Sequence, residues 1–306
     1  MKKIYINTLK ILFLFFISGI FLTFSAFWYF SHDLPDFKKL ANYEPSVLSR
    51  VYDDSGELIA EYSLEKRLFI PYDAIPDKVI NSFLSAEDKN FFDHPGVDAR
   101  GVTRAFIKNI KNIFQNKRLE GASTITQQVA KNFLLSNEVS LKRKIKEAIL
   151  AFRIEKAYTK KRILELYLNE IYLGQGTYGV ASASLEYFDK SVKELNYYES
   201  ALLAALPKAP SKYNPYRNKK LAKFRRDLVL KNLLENNFLS QEEYKNLKRQ
   251  NINLKKKKKV YLEDSQYFIE EVRKKVIDDL TYEKVYKQGF NINTPINLEL
   301  QKISTI

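Results

Sequence analysis

The chain has 306 residues and a net charge of +15, from 51 Lys and Arg against 36 Asp and Glu. Its 45% hydrophobic and 14% aromatic content excludes wholesale disorder, collagen and low-complexity scaffolds. The absence of cysteine excludes a disulfide framework, thiol catalysis and cysteine-based metal sites. The two histidines, His32 and His94, are far apart in sequence, which argues against a His-rich metal site. The positive surplus suggests an anionic partner.

The first predicted element is an apolar helix. Residues 11–30 carry no charge, and as a helix they would span about 30 Å, which predicts a transmembrane segment. The alternative is a cleaved signal peptide, whose apolar region runs only about 7–15 residues before a small-residue cleavage site. Aromatic residues at 27–30 stand there instead, which favours the anchor. Three lysines precede the segment and two aspartates follow it, so residues 1–10 are predicted to be cytoplasmic and the residues after 31 to lie outside.

The rest of the chain divides by pattern and composition. Residues 31–50 contain two prolines and are predicted to be a linker. Apolar runs flank a turn signal within 51–60, which predicts a short β-hairpin. Beyond Pro76 the apolar spacing is helical, so residues 51–225 are predicted as a mainly α domain with a small β segment at its start. Residues 226–306 are predicted as a basic helical connector. The helical stripes are Val79, Ile80, Phe83 and Leu84; Leu141, Ile145, Ile149 and Phe152; Ile163, Leu164, Tyr167, Leu168 and Ile171.

A first candidate for chemistry lies in residues 86–96. Glu87 follows Phe83 by four residues and precedes Phe91 by four, so a continuing helix would put all three on one face. A carboxylate on a half-buried apolar face binds its proton more tightly, which suits a general base. The alternative is an acidic pair that caps or salt-bridges the helix end.

Two further segments carry polar and charged groups. Residues 121–132 read GASTITQQVAKN, where hydroxyl and amide side chains followed by Lys131 suit sugar hydroxyls and phosphate oxygens. Ordinary helix capping is the alternative there. Arg143 and Glu147 are four residues apart on one helix face, either as a surface ion pair or as an anion clamp beside a second carboxylate. A fourth segment, 160–180, is interpreted as scaffolding, because its glycines do not form a phosphate loop.

Read in chain order, these four segments resemble the motif series of the family 51 peptidoglycan glycosyltransferases. That domain occurs in class A penicillin-binding proteins and in monofunctional transglycosylases. The resemblance covers about residues 50–225. It implies a lysozyme-like helical fold and inverting polymerisation of lipid II with release of undecaprenyl pyrophosphate. It implies Glu87 as the general base and Glu147 as a second essential carboxylate, while His94 is interpreted as structural. The implied substrate-binding residues are Asp88, Phe91, Ser123, Thr124, Gln128, Lys131, Asn132 and Arg143.

The resemblance also sets expectations for partners and location. It implies Mg²⁺ or Mn²⁺ near the pyrophosphate with an unknown ligand set, and no organic cofactor. The expected partners are lipid II, the nascent glycan strand, the membrane and other cell-wall synthesis proteins, with no nucleic acid. The expected location is the bacterial cytoplasmic membrane, with one crossing and the catalytic domain on the extracytoplasmic side.

One departure from the class A pattern concerns penicillin. Transpeptidase domains carry Ser-x-x-Lys and Lys-Thr-Gly motifs. The Ser-x-x-Lys here, Ser63 to Lys66, precedes the glycosyltransferase motifs, and Lys-Thr-Gly does not occur. Residues 289–301 resemble the connector that leads into such a domain. The chain therefore resembles a class A protein up to its transpeptidase half, and penicillin binding is not carried over.

Two other functions fit parts of the sequence. A lytic transglycosylase or lysozyme-like hydrolase would also use one catalytic glutamate on a helical domain. A non-enzymatic, membrane-tethered basic module would explain the positive charge, since residues 207–259 hold 17 Lys and Arg against four Asp and Glu. The lipid anchor, the cationic pair Lys131 and Arg143 and the second carboxylate favour synthesis over cleavage. The binding module is supported by the charge of this region alone.

Overall fold

The computed structural model describes residues 2–41, 49–62, 66–115, 121–136, 138, 140–255 and 266–304. The chain folds as two compact units, Met1–Asn42 with Asn90–Ile163 and Tyr43–Lys89 with Leu164–Ile306. Helices dominate both, so the mainly α prediction is confirmed. The helices are α1 (Lys2–Ser31), α2 (Asp77–Glu87), α3 (Ala99–Phe114), α4 (Ile125–Leu134), α5 (Leu141–Ala157), α6 (Lys160–Glu170), α7 (Val180–Phe188), α8 (Tyr197–Ala205), α9 (Lys219–Glu235), α10 (Gln241–Arg249), α11 (Gln266–Leu280), α12 (Tyr282–Lys287) and α13 (Leu298–Ser304). The strands are β1 (Ser49–Tyr52), β2 (Leu58–Tyr62), β3 (Lys66–Arg67), β4 (Tyr172–Gly174), β5 (Thr177–Tyr178) and β6 (Asn291–Asn293).

Helix α1 contains the segment predicted to cross the membrane. It runs Lys2–Ser31, so a helix over residues 11–30 is confirmed. Within the described part of the chain, no helix combines the length and the apolarity that crossing a membrane requires. The spanning role of this segment therefore stays a prediction.

The first unit has its core between α4 and α5, which pack on each other. Apolar side chains at helical spacing fill this interface, with Ile125 and Val129 from α4 and Leu150 and Ile154 from α5 all buried. The stripe predicted on α5 is only partly correct. Ile149 is buried, but Leu141 and Phe152 are exposed. The buried face of α5 thus consists of Ile149, Leu150 and Ile154.

The described part of the predicted linker is folded. Residues 37–40 form a 3-10 helix that Asp36 caps and whose Leu40 is buried. The hydroxyl of Tyr158 donates to the Phe37 carbonyl at 3.2 Å, and Arg162 donates to the Leu40 carbonyl at 3.3 Å. Residues 31–41 are therefore fixed to α5 and α6, while residues 42–48 lie outside the described residues.

The second unit has a helical core of α2, α8 and α9. Val79, Ile80, Phe83 and Leu84 of α2 are all buried, which confirms the stripe predicted there. Helix α8 is buried along almost its whole length, and its buried Glu199 pairs with Lys190 at 2.7 Å. It ends at Ala205, two residues before Pro207.

A separate small core forms around the predicted hairpin. Strands β1 and β2 pair antiparallel, which confirms the hairpin, and the Asp53 carboxylate accepts from two backbone N–H groups in its turn. Strand β6 then pairs in parallel with β1, so the sheet order is β2-β1-β6. The hairpin is thereby covered by residues more than 200 positions later, which no local pattern predicted. The buried core is Val51, Ile59, Ala60, Tyr62, Val285 and Ile296.

The boundary predicted between residues 225 and 226 falls inside α9. Arg226 is fully buried there, and its guanidinium donates to the carbonyl of Gln250 at 3.0 Å and of Lys248 at 3.3 Å. It thus caps the end of α10. At least this cation of the basic region has an internal structural role. Residues 256–265, which include four of the five consecutive lysines at 255–259, lie outside the described residues.

Candidate functional site

The first motif begins where α2 ends. Glu87 is the last helical residue and is half-buried, and buried Asp88 caps the helix with its N–H donating to the Leu84 carbonyl at 2.9 Å. Glu87 and Phe83 share one face of α2, as predicted. The extension of that face to Phe91 is wrong, because the backbone leaves the helix at Asp88 with φ −158° and turns.

Residues 91–96, which belong to the first unit, are held by Lys160 and by close packing on α5. Phe91 is fully buried, and the Lys160 ammonium lies 4.4 Å from its ring centre. The same ammonium donates to the His94 carbonyl at 2.6 Å and to Glu155 at 2.8 Å. Gly96 has φ +101°, and a Cβ there would lie 2.8 Å from the backbone of Ala151. Glycine is therefore required where this loop meets α5.

The second motif starts α4 with a capping box. The Thr124 hydroxyl accepts from the Gln127 N–H, and the Gln127 side chain accepts from the Thr124 N–H. The same hydroxyl donates to the Gly96 carbonyl at 2.5 Å, so it connects the second motif to the first. Because Thr124 is buried and its hydroxyl is used in these bonds, the capping alternative describes it well.

The third motif forms a charged cluster on α5. Glu147 is only 2% exposed, and its carboxylate lies 2.5 Å from the Lys144 ammonium and 3.1 Å from Arg143 Nε. The Arg143 contact is an ion pair without hydrogen-bond geometry, since both atoms are buried without a hydrogen-bond partner among the described residues. Lys144 also donates to the Ser123 hydroxyl at 2.7 Å. Glu147 is thus a buried carboxylate fixed by two cations, and not part of a surface pair.

Helix α4 presents the remaining predicted polar residues. Lys131 is half-buried in its last turn, and Asn132 is exposed. Neither side chain forms a hydrogen bond or an ion pair with another described residue. Gln128 is half-buried on the same helix. A half-buried ammonium whose charge is not offset by a carboxylate attracts an anion.

The donor set does not fit a divalent ion. The part of the chain that the structure describes holds no group of three or more His, Cys, Asp or Glu side chains able to bind a metal. Mg²⁺ and Mn²⁺ prefer oxygen ligands, and Glu147 is already paired with two cations. The described residues therefore do not form a site for Mg²⁺ or Mn²⁺.

The predicted site residues fall into both units. The structure brings Ser123, Arg143 and Glu147 together through Lys144, and it joins Thr124 to the loop that contains Phe91. Glu87 and Asp88 belong to the other unit. The residues in the first unit are Phe91, Ser123, Thr124, Gln128, Lys131, Asn132, Arg143 and Glu147.

Sequence reasoning missed two lysines and one helix. Lys144 is the direct partner of Glu147, and its spacing of i,i+3 was a usable signal. Lys160 connects the fourth motif to the first, which only the fold reveals. Helix α3 was not predicted as a functional element, although six of its large apolar side chains are exposed. They are Val102, Phe106, Ile107, Ile110, Ile113 and Phe114.

The described part of the chain thus contains a mainly helical domain with a buried glutamate held by two cations, and a half-buried lysine without an ion-pair partner among the described residues. The Transglycosylase family model matches residues 55–234. The chain therefore belongs to the transglycosylase family, and the resemblance found in the sequence is confirmed.

Longer relatives and a solved structure agree with this assignment. Penicillin-binding protein 1A of Rickettsia prowazekii is 46% identical over 297 residues, which are 97% of this chain and 38% of the relative. The protein of the same name from Aquifex aeolicus is 45% identical over 272 residues, 89% of this chain and 37% of the relative. The crystal structure of penicillin-binding protein 1A from Haemophilus influenzae matches with a TM-score of 0.53 at 26% identity, covering 82% of this chain and 27% of that one. The chain thus spans well under half the length of these relatives.

Proposed function

We propose that this chain polymerises lipid II into glycan strands by inverting transfer, with release of undecaprenyl pyrophosphate, on a lysozyme-like fold. The observation that carries the proposal is the family match over residues 55–234, which contains all ten candidate site residues. The cluster of Glu147 with two cations supports it, because a site for pyrophosphate needs fixed positive charge.

In the proposed mechanism Glu87 is the general base. It accepts the proton of the attacking sugar hydroxyl while the new C–O bond forms at the anomeric carbon. The bond to the pyrophosphate breaks with its electron pair, and a single displacement inverts the configuration. Lys131 and Arg143 would stabilise the charge that develops on the pyrophosphate. Glu147 would hold the side chains of Arg143 and Lys144 in position and reduce the electrostatic repulsion between these two cations.

We further propose that the first unit lies at the extracytoplasmic face of the cytoplasmic membrane. Residues 11–30 of α1 are uncharged, and several of their side chains are exposed, including Phe13, Leu14 and Phe15. Helix α3 adds the exposed apolar side chains named above, next to the exposed cations Arg100 and Arg104. An amphipathic helix with this composition binds a membrane interface. Such a position would bring the enzyme to a lipid-linked substrate and to other cell-wall synthesis proteins.

Polymerisation of labelled lipid II by the full chain in detergent tests the proposal. Wild type should form glycan polymer, and Glu87→Gln should form at least about 100-fold less, since a general base contributes about 10²–10⁴-fold. Glu242→Gln, an exposed glutamate in the first turn of α10, is the matched control and should polymerise normally.

Three results would contradict the proposal. Polymer from Glu87→Gln at the wild-type rate would remove Glu87 as the base. Cleavage of preformed glycan without any synthesis would indicate the lytic alternative. Binding of lipid II without turnover would indicate a binding module.

A further inference from the structure

Tyr167 is a fully buried residue of α6 whose hydroxyl lacks a hydrogen-bond partner among the described residues. Other buried tyrosines of the second unit do use their hydroxyls. Tyr187 donates to the Leu173 carbonyl at 2.8 Å, and Tyr62 donates to the Ile269 carbonyl at 2.7 Å. Burying a hydroxyl without a partner is costly, and a phenylalanine would fill the same space without that cost. Packing alone therefore does not explain the presence of a hydroxyl group at this position.

The surroundings of Tyr167 point to the end of α2. Its ring packs edge-on against Phe83, with 6.2 Å between ring centres, and Phe83 precedes Glu87 by one helical turn. Burial raises the pKa of Tyr167 well above its usual value, and the nearby charges of Glu87 and Asp88 raise it further. The hydroxyl therefore stays protonated at neutral pH and can donate a hydrogen bond to a carboxylate.

The position of Glu87 makes such a donor useful. As the last residue of α2, its carboxylate lies at the negative end of the helix dipole, where a negative charge is disfavoured. A buried neutral donor would stabilise and orient the charged form without adding a competing charge. Hydrogen bonds of this kind are often long in the unliganded enzyme and shorten when substrate binds.

We propose that Tyr167 is a positioning residue whose hydroxyl donates a hydrogen bond to the Glu87 carboxylate during turnover. The inference rests on the proposed function, because it assigns Tyr167 to the base named there. It also explains why the enzyme keeps a tyrosine at a site where phenylalanine would pack as well.

Tyr167→Phe in the full chain tests the inference, with lipid II polymerisation and thermal unfolding measured on the same samples. We expect kcat to fall at least about tenfold, because a misplaced reacting group is costly. KM should stay within about twofold and Tm should not fall, because the lost hydroxyl has no hydrogen-bond partner among the described residues. Tyr187→Phe is the matched control. It removes a buried hydroxyl that does make a bond, so it should lower Tm and leave kcat nearly unchanged.

The possible results separate the inference from the function on which it rests. An unchanged kcat in Tyr167→Phe would overturn the inference, and so would a fall in Tm as large as that of Tyr187→Phe. If Glu87→Gln abolishes polymerisation while Tyr167→Phe does not reduce it, the inference fails and the proposed function stands. If Glu87→Gln polymerises normally, the proposed function itself fails. In the double variant, Tyr167→Phe should cause no additional loss beyond that of Glu87→Gln.

Discussion

The ion pair between Lys144 and Glu147 should contribute measurably to the stability of the first unit. A double-mutant cycle of Lys144→Met and Glu147→Gln isolates it, because the cycle cancels what each change does alone. The carboxylate is 2% exposed and the lysine 44% exposed, with 2.5 Å between the charged atoms. One partner is therefore in a low-dielectric environment and the other is half in water.

Coulomb's law bounds the coupling energy. At 2.5 Å two unit charges attract by about 1.7 kcal/mol in a dielectric of about 80, and by about 6.6 kcal/mol in one of about 20. Lys144 is partly exposed to water, and fixing its side chain costs conformational entropy. Both effects move the expected coupling energy toward the lower end of this range. We therefore expect a coupling energy of about 2 kcal/mol, which 1 M salt should reduce only in part, since Glu147 is buried.

Urea unfolding of wild type, both single variants and the double variant measures the coupling. The pair Lys231 and Glu235 on α9 is the matched control, because its atoms are 3.3 Å apart but the side chains are 58% and 59% exposed. Its cycle should give less than about 0.5 kcal/mol. Equal coupling in the two cycles would refute the argument that burial of Glu147 makes its pair strong.

Two further changes test the fold around the site and the small core. Gly96→Ala should lower the free energy of unfolding by about 3 kcal/mol, because the new Cβ would lie 2.8 Å from the Ala151 backbone at φ +101°. Gly176→Ala, with φ +72° but open space, should cost only about 1 kcal/mol, and an equal loss in both would show that the contact with α5 is unimportant. Burial, and to a smaller extent the neighbouring Tyr286, raises the pKa of Tyr62 to about 12. The contribution of the Tyr62 hydroxyl to the free energy of unfolding is therefore fully present below about pH 10, and it is lost as the pH rises through 12. Tyr62→Phe should flatten this alkaline loss in urea titrations, and an unchanged pH profile would contradict the assignment.

The sequence predicted those features that depend on neighbours in the chain. The helical stripe of α2 and the hairpin at 51–60 follow from spacing over a few residues, and both are confirmed. The pairing of Arg143 with Glu147 follows from i,i+4 geometry in the same way. What the sequence could not give was burial. The sequence around Glu147 does not distinguish a carboxylate that is 2% exposed from one on the surface. The burial of Glu147 depends on the packing of α4 on α5.

Features that depend on distant parts of the chain were missed or misplaced. The helix of Glu87 does not continue to Phe91, because the backbone leaves the helix at Asp88 with φ −158°. The Phe91 ring lies instead beside the ammonium of Lys160, about 70 positions later. Strand β6 joins β1 across more than 200 residues, and no periodic pattern reports such a pairing. Arg226 was predicted only as the start of a basic connector, whereas its buried guanidinium caps the end of α10.

The residues of the first two motifs do different physical work, although the family pattern treats them alike. Thr124 and Gly96 bond or pack against backbone, so their replacement should lower stability and activity together. Lys131 and Asn132 have no partner among the described residues, so their replacement should reduce activity while Tm stays near that of wild type. If Lys131→Met instead lowers Tm by as much as Gly96→Ala does, the charge of Lys131 has a structural role. The proposed contact of Lys131 with pyrophosphate then loses its main support. Thermal unfolding and polymerisation measured side by side on these two variants decide between the two roles.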